Sequence, residues 1–135
     1  MGNILVADDD KTCRVSIQKV LEREGHMVET AEDVDGALEA LRIHNFDLVV
    51  CDYRMPGKTG LDLLIELKRR QASVPVLMVS AYADALAEKT ILQLGALEIM
   101  KKPIRRQELV TRAAKVIRGC DMSCKPARAS LTGVE

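Results

Sequence analysis

Phe46, Tyr53 and Tyr82 are the only aromatic residues among 135, and there is no Trp, so a packed interior has to be aliphatic. Without a set of exposed rings there is no platform on which unpaired bases could stack, and direct nucleic-acid binding is not expected. No apolar run approaches the roughly 20 residues that cross a bilayer, and no apolar h-region follows a basic start. The expectation is a cytoplasmic protein with no membrane partner. The four cysteines, Cys13, Cys51, Cys120 and Cys124, are too few for a disulfide framework at this length. Cys13 and Cys51 fall on core-facing positions and read as small buried hydrophobes. Cys120 and Cys124 form a CxxxC pair with no second Cys or His pair to complete a zinc site. Net charge is absent too, with 20 basic and 20 acidic residues, but its placement is uneven. Residues 1–100 hold 11 Lys and Arg against 17 acids, and residues 101–135 hold 9 against 3. An acidic body carries a basic end, which reads as a solvated helix face followed by a loose tail.

What is present, 47% hydrophobic and 30% charged residues, is the mixture of one globular domain. Apolar Asn3–Ala7 ends in Asp8, Asp9 and Asp10, any of which can cap the helix that follows. Cys13, Ile17, Val20 and Leu21 recur at helical offsets and Gly25 supplies the stop. Met27–Ala31 reads as a strand, and Val34, Ala37, Leu38 and Leu41 make residues 33–44 a second amphipathic helix. Leu48–Asp52 is an apolar strand that ends at a lone carboxylate, beyond which Pro56, Gly57 and Gly60 punctuate a loop. Leu61, Leu64 and Ile65 mark a third helix, with Thr59 as N-cap and Asp62 in a variant of the capping box. Residues 74–79 form a strand with Pro75 at its entry, followed by Ser80. Ala87, Ile91 and Leu94 give a fourth helix ended by Gly95, and residues 97–100 a fifth strand. After Lys101, Lys102 and Pro103, a final helix carries Leu109, Ala113, Val116 and Ile117. Periodicity vanishes from Gly119, so residues 1–118 are read as the domain and 119–135 as a mobile basic tail or the start of a linker.

Five strand-helix units in strict alternation predict a doubly wound parallel α/β sheet. Right-handed crossovers then bring the carboxyl ends of all strands to one edge, where open sheets bind ligands. Asp8, Asp9, Asp52, Ser80 and Lys102 all fall just past a strand on that edge. Converging carboxylates repel, and a divalent cation with all-oxygen ligands, Mg²⁺, is the economical remedy. Lys102 adds an ammonium and Ser80 a hydroxyl, which together suit the oxygens of a phosphoryl group beside a carboxylate nucleophile.

Four segments carry a family resemblance: ILVADDD, DLVVCDYRMPGKTGLDLL, VPVLMVSAY and KKP. In this order they resemble the first-strand acidic signature, the phosphoacceptor segment, the fourth-strand Ser/Thr segment and the Lys-Pro motif of the receiver domains of bacterial two-component response regulators. The match covers residues 3–118. The resemblance implies a flavodoxin-like five-stranded sheet of order 2-1-3-4-5. It implies that Asp52 accepts a phosphoryl group from a sensor histidine kinase or phosphotransfer protein, in a signalling rather than an enzymatic role. Asp9 would bind Mg²⁺ directly and Asp8 chiefly through water, with Asp52 and the main-chain carbonyl of Arg54 as further ligands. Ser80 would hydrogen-bond the phosphoryl oxygens, Lys102 would neutralise them, and the Lys102–Pro103 bond would be cis. The signal would leave through helix 4, strand 5 and helix 5 to a downstream target or output domain.

The departures from that pattern concern tuning. An aliphatic residue, Ile99, stands where the family usually has Tyr or Phe, and Ile104 follows the Lys-Pro motif. Arg54 and Tyr82 occupy the flanking positions that tune hydrolysis, and their bulk would hinder water. Two other classes use related chemistry. An aspartyl-phosphate hydrolase needs an acid-base carboxylate two residues beyond its nucleophile, where this chain has Arg54. A flavin- or nucleotide-binding module of the same fold needs a phosphate loop, where this chain has three acids.

Overall fold

The computed structural model describes residues 2–81 and 85–123. Five strands, β1 (Asn3–Ala7), β2 (Met27–Ala31), β3 (Leu48–Asp52), β4 (Val76–Ser80) and β5 (Glu98–Lys101), alternate with five helices. These are α1 (Lys11–Arg23), α2 (Val34–Ile43), α3 (Gly60–Arg69), α4 (Ala85–Gln93) and α5 (Arg106–Ser123). All neighbours pair in parallel, in the order β2-β1-β3-β4-β5. This is the flavodoxin-like arrangement that the alternation and the resemblance imply.

Side chains of a strand alternate between faces, so each strand feeds two separate cores. Leu5, Ala7, Val49, Cys51 and Met78 pack with Ala37, Leu63, Leu67 and Ile91 from α2, α3 and α4. Ile4, Val6, Leu48, Val50, Leu77 and Val79 pack on the other face with Ile17, Leu21, Leu109, Ala113 and Ile117 from α1 and α5. Because helices cover both faces, the inner strands read as unbroken apolar runs rather than alternating ones. No aromatic ring is among the fully buried large side chains of the described residues, as their scarcity in the sequence implies.

The helix boundaries follow local chemistry. Asp10 caps α1, its Oδ1 accepting from the Thr12 N–H at 3.0 Å, and Asp33 caps α2, accepting from the Gly36 N–H at 2.7 Å. Asp62 reaches back to accept from the Thr59 N–H at 2.8 Å at the start of α3. Gly25 (φ 92°) and Gly95 (φ 111°) take the left-handed conformation just beyond α1 and α4.

Three boundaries differ from the sequence reading. β4 begins at Val76 rather than two residues earlier, because Pro75 has no N–H to offer the ladder; only its carbonyl joins, accepting from Val49 at 2.9 Å. β5 runs one residue later, and Leu97, half exposed, serves as its approach. α5 continues to Ser123, past the expected domain end at residue 118. The sequence-based tail therefore begins inside a helix, and its remainder, 124–135, lies outside the described residues, as does the side chain of Cys120. Among the described residues no helix is long and apolar enough to cross a membrane.

Candidate functional site

The topology delivers Asp8, Asp52, Ser80 and Lys102 from four different strands to one edge. Asp52 and Ser80 are the last residues of β3 and β4; Asp8 and Lys102 are the first residues past β1 and β5. Asp8, Asp52 and Ser80 are 1%, 6% and 2% exposed, an unusual degree of burial for carboxylates. Asp9, one residue further on, is exposed. Ligand oxygens of Asp8, Asp9 and Asp52 nevertheless all lie within 4.8 Å of one another.

Lys102 is the counter-charge. Its Nζ lies 3.3 Å from Asp52 Oδ2 and 3.7 Å from Asp8 Oδ2, and its backbone N–H donates to the Ser80 carbonyl at 3.0 Å, which ties the fifth strand's exit to the fourth. The Lys102–Pro103 peptide is cis. Among the described residues one ammonium faces the two buried carboxylates, which leaves the site short of positive charge. Burial, and after it the Asp8 carboxylate, push the Asp52 carboxyl up from an ordinary 3.8 to about 6, against the opposing pull of Lys102 and of the Arg54 backbone. Burial draws the Lys102 ammonium down, but Asp52 and Asp8 together outweigh it and its pKa is raised.

The three acids after β1 divide their work in a way that spacing alone does not reveal. Asp10 is the helix cap, and its own N–H donates to Asp8 Oδ1 at 2.9 Å. Arg14, one helical turn beyond the cap, donates from its guanidinium to the Asp8 carbonyl at 2.8 Å. Neither contact was part of the sequence reading; the signal for Arg14 is its i+4 offset from the cap, which returns it to the mouth of the helix. Cys13, read as a core residue, is only half-buried. Its thiol is pushed up to about 12 by burial and then by the Asp8 carboxylate, so it stays protonated. Cys51 is fully buried on the opposite face of the sheet, as expected of a small hydrophobe.

The loop from β3 to α3 closes one side of the site. Its start is held by the Tyr53 N–H donating to the Val79 carbonyl at 2.8 Å, and its end by the Gly60 N–H donating to the Tyr53 carbonyl at 2.8 Å. Met55 is buried in the core under α2, α3 and α4. Arg54 is exposed. Tyr82, its partner in the expected control of hydrolysis, lies outside the described residues. Ile99 is half-buried against the core shared with Ile91 and Met78.

The donor set fits a hard cation: three carboxylates within reach of one another, two of them buried with a single ammonium for company, offer oxygen alone. A parallel five-stranded sheet with an acidic trio and a lysine at its carboxyl edge defines a doubly wound α/β module with a candidate cation site. Residues 4–114 match the response regulator receiver domain family, and the chain belongs to it. It is 32% identical over 124 residues to the transcriptional regulatory protein FixJ of Bradyrhizobium diazoefficiens, covering 92% of this chain and 60% of FixJ. It is 36% identical over 118 residues to the transcriptional regulatory protein CpxR of Escherichia coli, covering 87% of this chain and 50% of CpxR. The chain thus spans between half and two thirds of the length of these two relatives. Among solved structures, the receiver domain of a Francisella response regulator superposes with a TM-score of 0.83 at 30% identity, over 87% of this chain and 98% of that one.

Proposed function

We propose that Asp52 is the phosphoacceptor of this receiver domain and that a sensor histidine kinase or phosphotransfer protein is its donor. The observation that carries the reading is the buried Asp8–Asp52 pair with Lys102 Nζ 3.3 Å from Asp52. A carboxylate oxygen of Asp52 attacks the phosphorus of a phosphohistidine; the N–P bond breaks, its electron pair stays on the imidazole, and an acyl phosphate forms. Lys102, already between the two acids, turns to the phosphoryl oxygens and neutralises them, and the Ser80 hydroxyl donates to the same oxygens. Asp8, Asp9, Asp52 and the main-chain carbonyl of Arg54 would hold Mg²⁺. Bound there, it would screen the charge between the carboxylate and the incoming phosphoryl group.

Arg54 offers no acid or base two residues beyond Asp52, which argues against a dedicated aspartyl-phosphate hydrolase. Two buried carboxylates beside the first loop argue equally against a flavin- or nucleotide-phosphate site. The activity is therefore signalling: the chain promotes its own phosphotransfer and dephosphorylation, and passes the change to a protein target or output domain through α4, β5 and α5. Ion pairs across that face, Lys101 with Glu88 and Arg112 with Glu98, give it charges that a partner can exchange.

The test is incubation with Mg²⁺ and acetyl phosphate followed by intact-mass measurement. One acid-labile phosphate is expected, absent from Asp52→Asn and from protein stripped of divalent cations. Phosphate on a histidine, or equal labelling of Asp52→Asn, refutes the assignment.

A further inference from the structure

The apex of the loop between β3 and α3 is tied to a neighbouring element by one contact for which the reading above has no use. Lys58 Nζ lies 2.7 Å from Asp35 Oδ1, in the first turn of α2. The two residues are 23 positions apart, and they join separate crossovers at the same sheet edge. Asp35 stands on firm ground, since its helix is capped by Asp33 and packs through Val34, Ala37 and Leu38. Lys58 is less tied: its own N–H donates to the Pro56 carbonyl at 2.9 Å beside Gly57 at a φ of 80°, and the chain is held again at Thr59, whose N–H donates to Asp62. Both ends of the loop are fixed by backbone bonds at Tyr53 and Gly60, and Met55 is buried between them. The stretch from Pro56 to Lys58 is therefore the part that can lift away. Arg54 and its carbonyl sit between the fixed start and that stretch.

We infer that Asp35 and Lys58 form a clip that holds the β3–α3 loop against α2, and that Lys58 is thereby a positioning residue for the divalent-cation site. The inference rests on the proposed role of the Arg54 carbonyl as a ligand. Lys58 and Asp35 side chains are 54% and 74% exposed, so the clip is weak and shifts an equilibrium by about fivefold at most. It is also sensitive to salt, because exposed charges are screened over about 10 Å at 0.1 M ionic strength.

Plain electrostatics and the clip make opposite statements about one variant. Removing the Lys58 charge, as in Lys58→Met, takes a positive group away from a cation site and by Coulomb's law alone tightens Mg²⁺ binding. Loss of the clip loosens it. Three variants of the full chain, Lys58→Met, Asp35→Asn and the double substitution, are compared by Mg²⁺ titration calorimetry and by amide hydrogen exchange in metal-free protein. The expected result is Mg²⁺ binding about two- to fivefold weaker in either single variant, no further weakening in the double, and faster exchange of the amides of Arg54, Met55, Gly57 and Lys58 in all three. The exchange readout needs neither metal nor phosphorylation. If the Asp52 assignment fails while exchange quickens, the clip stands as a loop restraint and the phosphoacceptor must be sought elsewhere. Tighter or unchanged Mg²⁺ binding in Lys58→Met, an additive double variant, or unchanged exchange overturns the inference.

Discussion

Replacing Asp52 by Asn removes one of two carboxylates that the metal-free fold has to bury side by side. The wild-type carboxyl is raised from 3.8 to about 6, chiefly by burial and then by Asp8, so its ionised form is disfavoured in the folded state relative to the unfolded one. Two pKa units at about 1.36 kcal/mol each set a ceiling near 3 kcal/mol. Access of water at the sheet edge and the residual Lys102 contact reduce the realisable gain to about 1–2 kcal/mol. For a domain of this size that is a rise in Tm of roughly 4–8 °C. The pH dependence has a definite sign. A raised carboxyl binds its proton earlier in the folded than in the unfolded state, so the wild type gains stability as pH falls from above 6 toward 3.8, and Asp52→Asn does not share that gain. The advantage of the variant is therefore full above about pH 7 and largely gone near pH 4. Urea denaturation of both proteins in chelator, at pH 7.5 and pH 4.5, measures it directly, and titrating groups remote from Asp52 cancel in the difference. Adding Mg²⁺ at pH 7.5 should close the gap from the wild-type side, since a ligand that binds only the folded state stabilises it by mass action. A variant that is less stable than wild type in chelator at pH 7.5, or an advantage that grows on acidification, would refute the view that Asp8 and Asp52 are a strained pair awaiting a cation.

The other outcomes are narrower. Asp9→Asn, at an exposed position, should leave metal-free stability within about 0.5 kcal/mol of wild type while weakening Mg²⁺ binding in calorimetry; unaltered Mg²⁺ affinity would remove Asp9 from the ligand set. Arg54→Asn should shorten the lifetime of the phosphorylated protein, followed as loss of the acyl phosphate over time, because it trades bulk for a small amide able to orient water. An unchanged decay rate would mean that Arg54 points away from the path of attack. Gly60→Ala should cost about 1–3 kcal/mol in urea denaturation, since the new Cβ would lie 2.5 Å from Met78 Sδ and 3.2 Å from the Asp52 carbonyl, and Met78→Val should recover part of that loss. A second substitution without effect would place the strain in the backbone contact instead.

How far residues announce their structure depends on whether the deciding contact is local. Asp33, Gly25 and Gly95 act within one turn of chain, and the sequence marks the boundaries they impose. Gln71 ends α3 at a φ of 58° with no glycine to signal it; the Ala72 N–H closes on the Leu67 carbonyl at 2.9 Å and the Gln71 N–H on the Lys68 carbonyl at 3.0 Å, a C-cap that the residue type does not announce. At the site, the residue types past each strand were legible because strand exits share an edge. Which of Asp8, Asp9 and Asp10 is buried, exposed or a cap was not, since three identical side chains in a row differ only in where the first strand stops. The repulsion expected among three carboxylates is in fact concentrated in Asp8 and Asp52, the two that are buried. Asp35 and Lys58 left no trace in any local pattern; their meeting is a product of two crossovers. The last helix continues past its apolar stripe to Ser123 because backbone hydrogen bonds, once nucleated, propagate without needing an apolar pattern in the sequence.

The order of strands also decides which motions the site can survive. Asp8, Asp52, Ser80 and Lys102 come from the exits of β1, β3, β4 and β5, whereas β2, at the sheet margin beside β1, supplies none of them. Peeling β2 away would leave the acids assembled, whereas an excursion that parts β1 from β3 scatters them and one that parts β3 from β4 takes Ser80 and Lys102 away from them. A cation bound there distributes its stabilisation unevenly, protecting the four strands that ligate or flank it and leaving the fifth free to breathe.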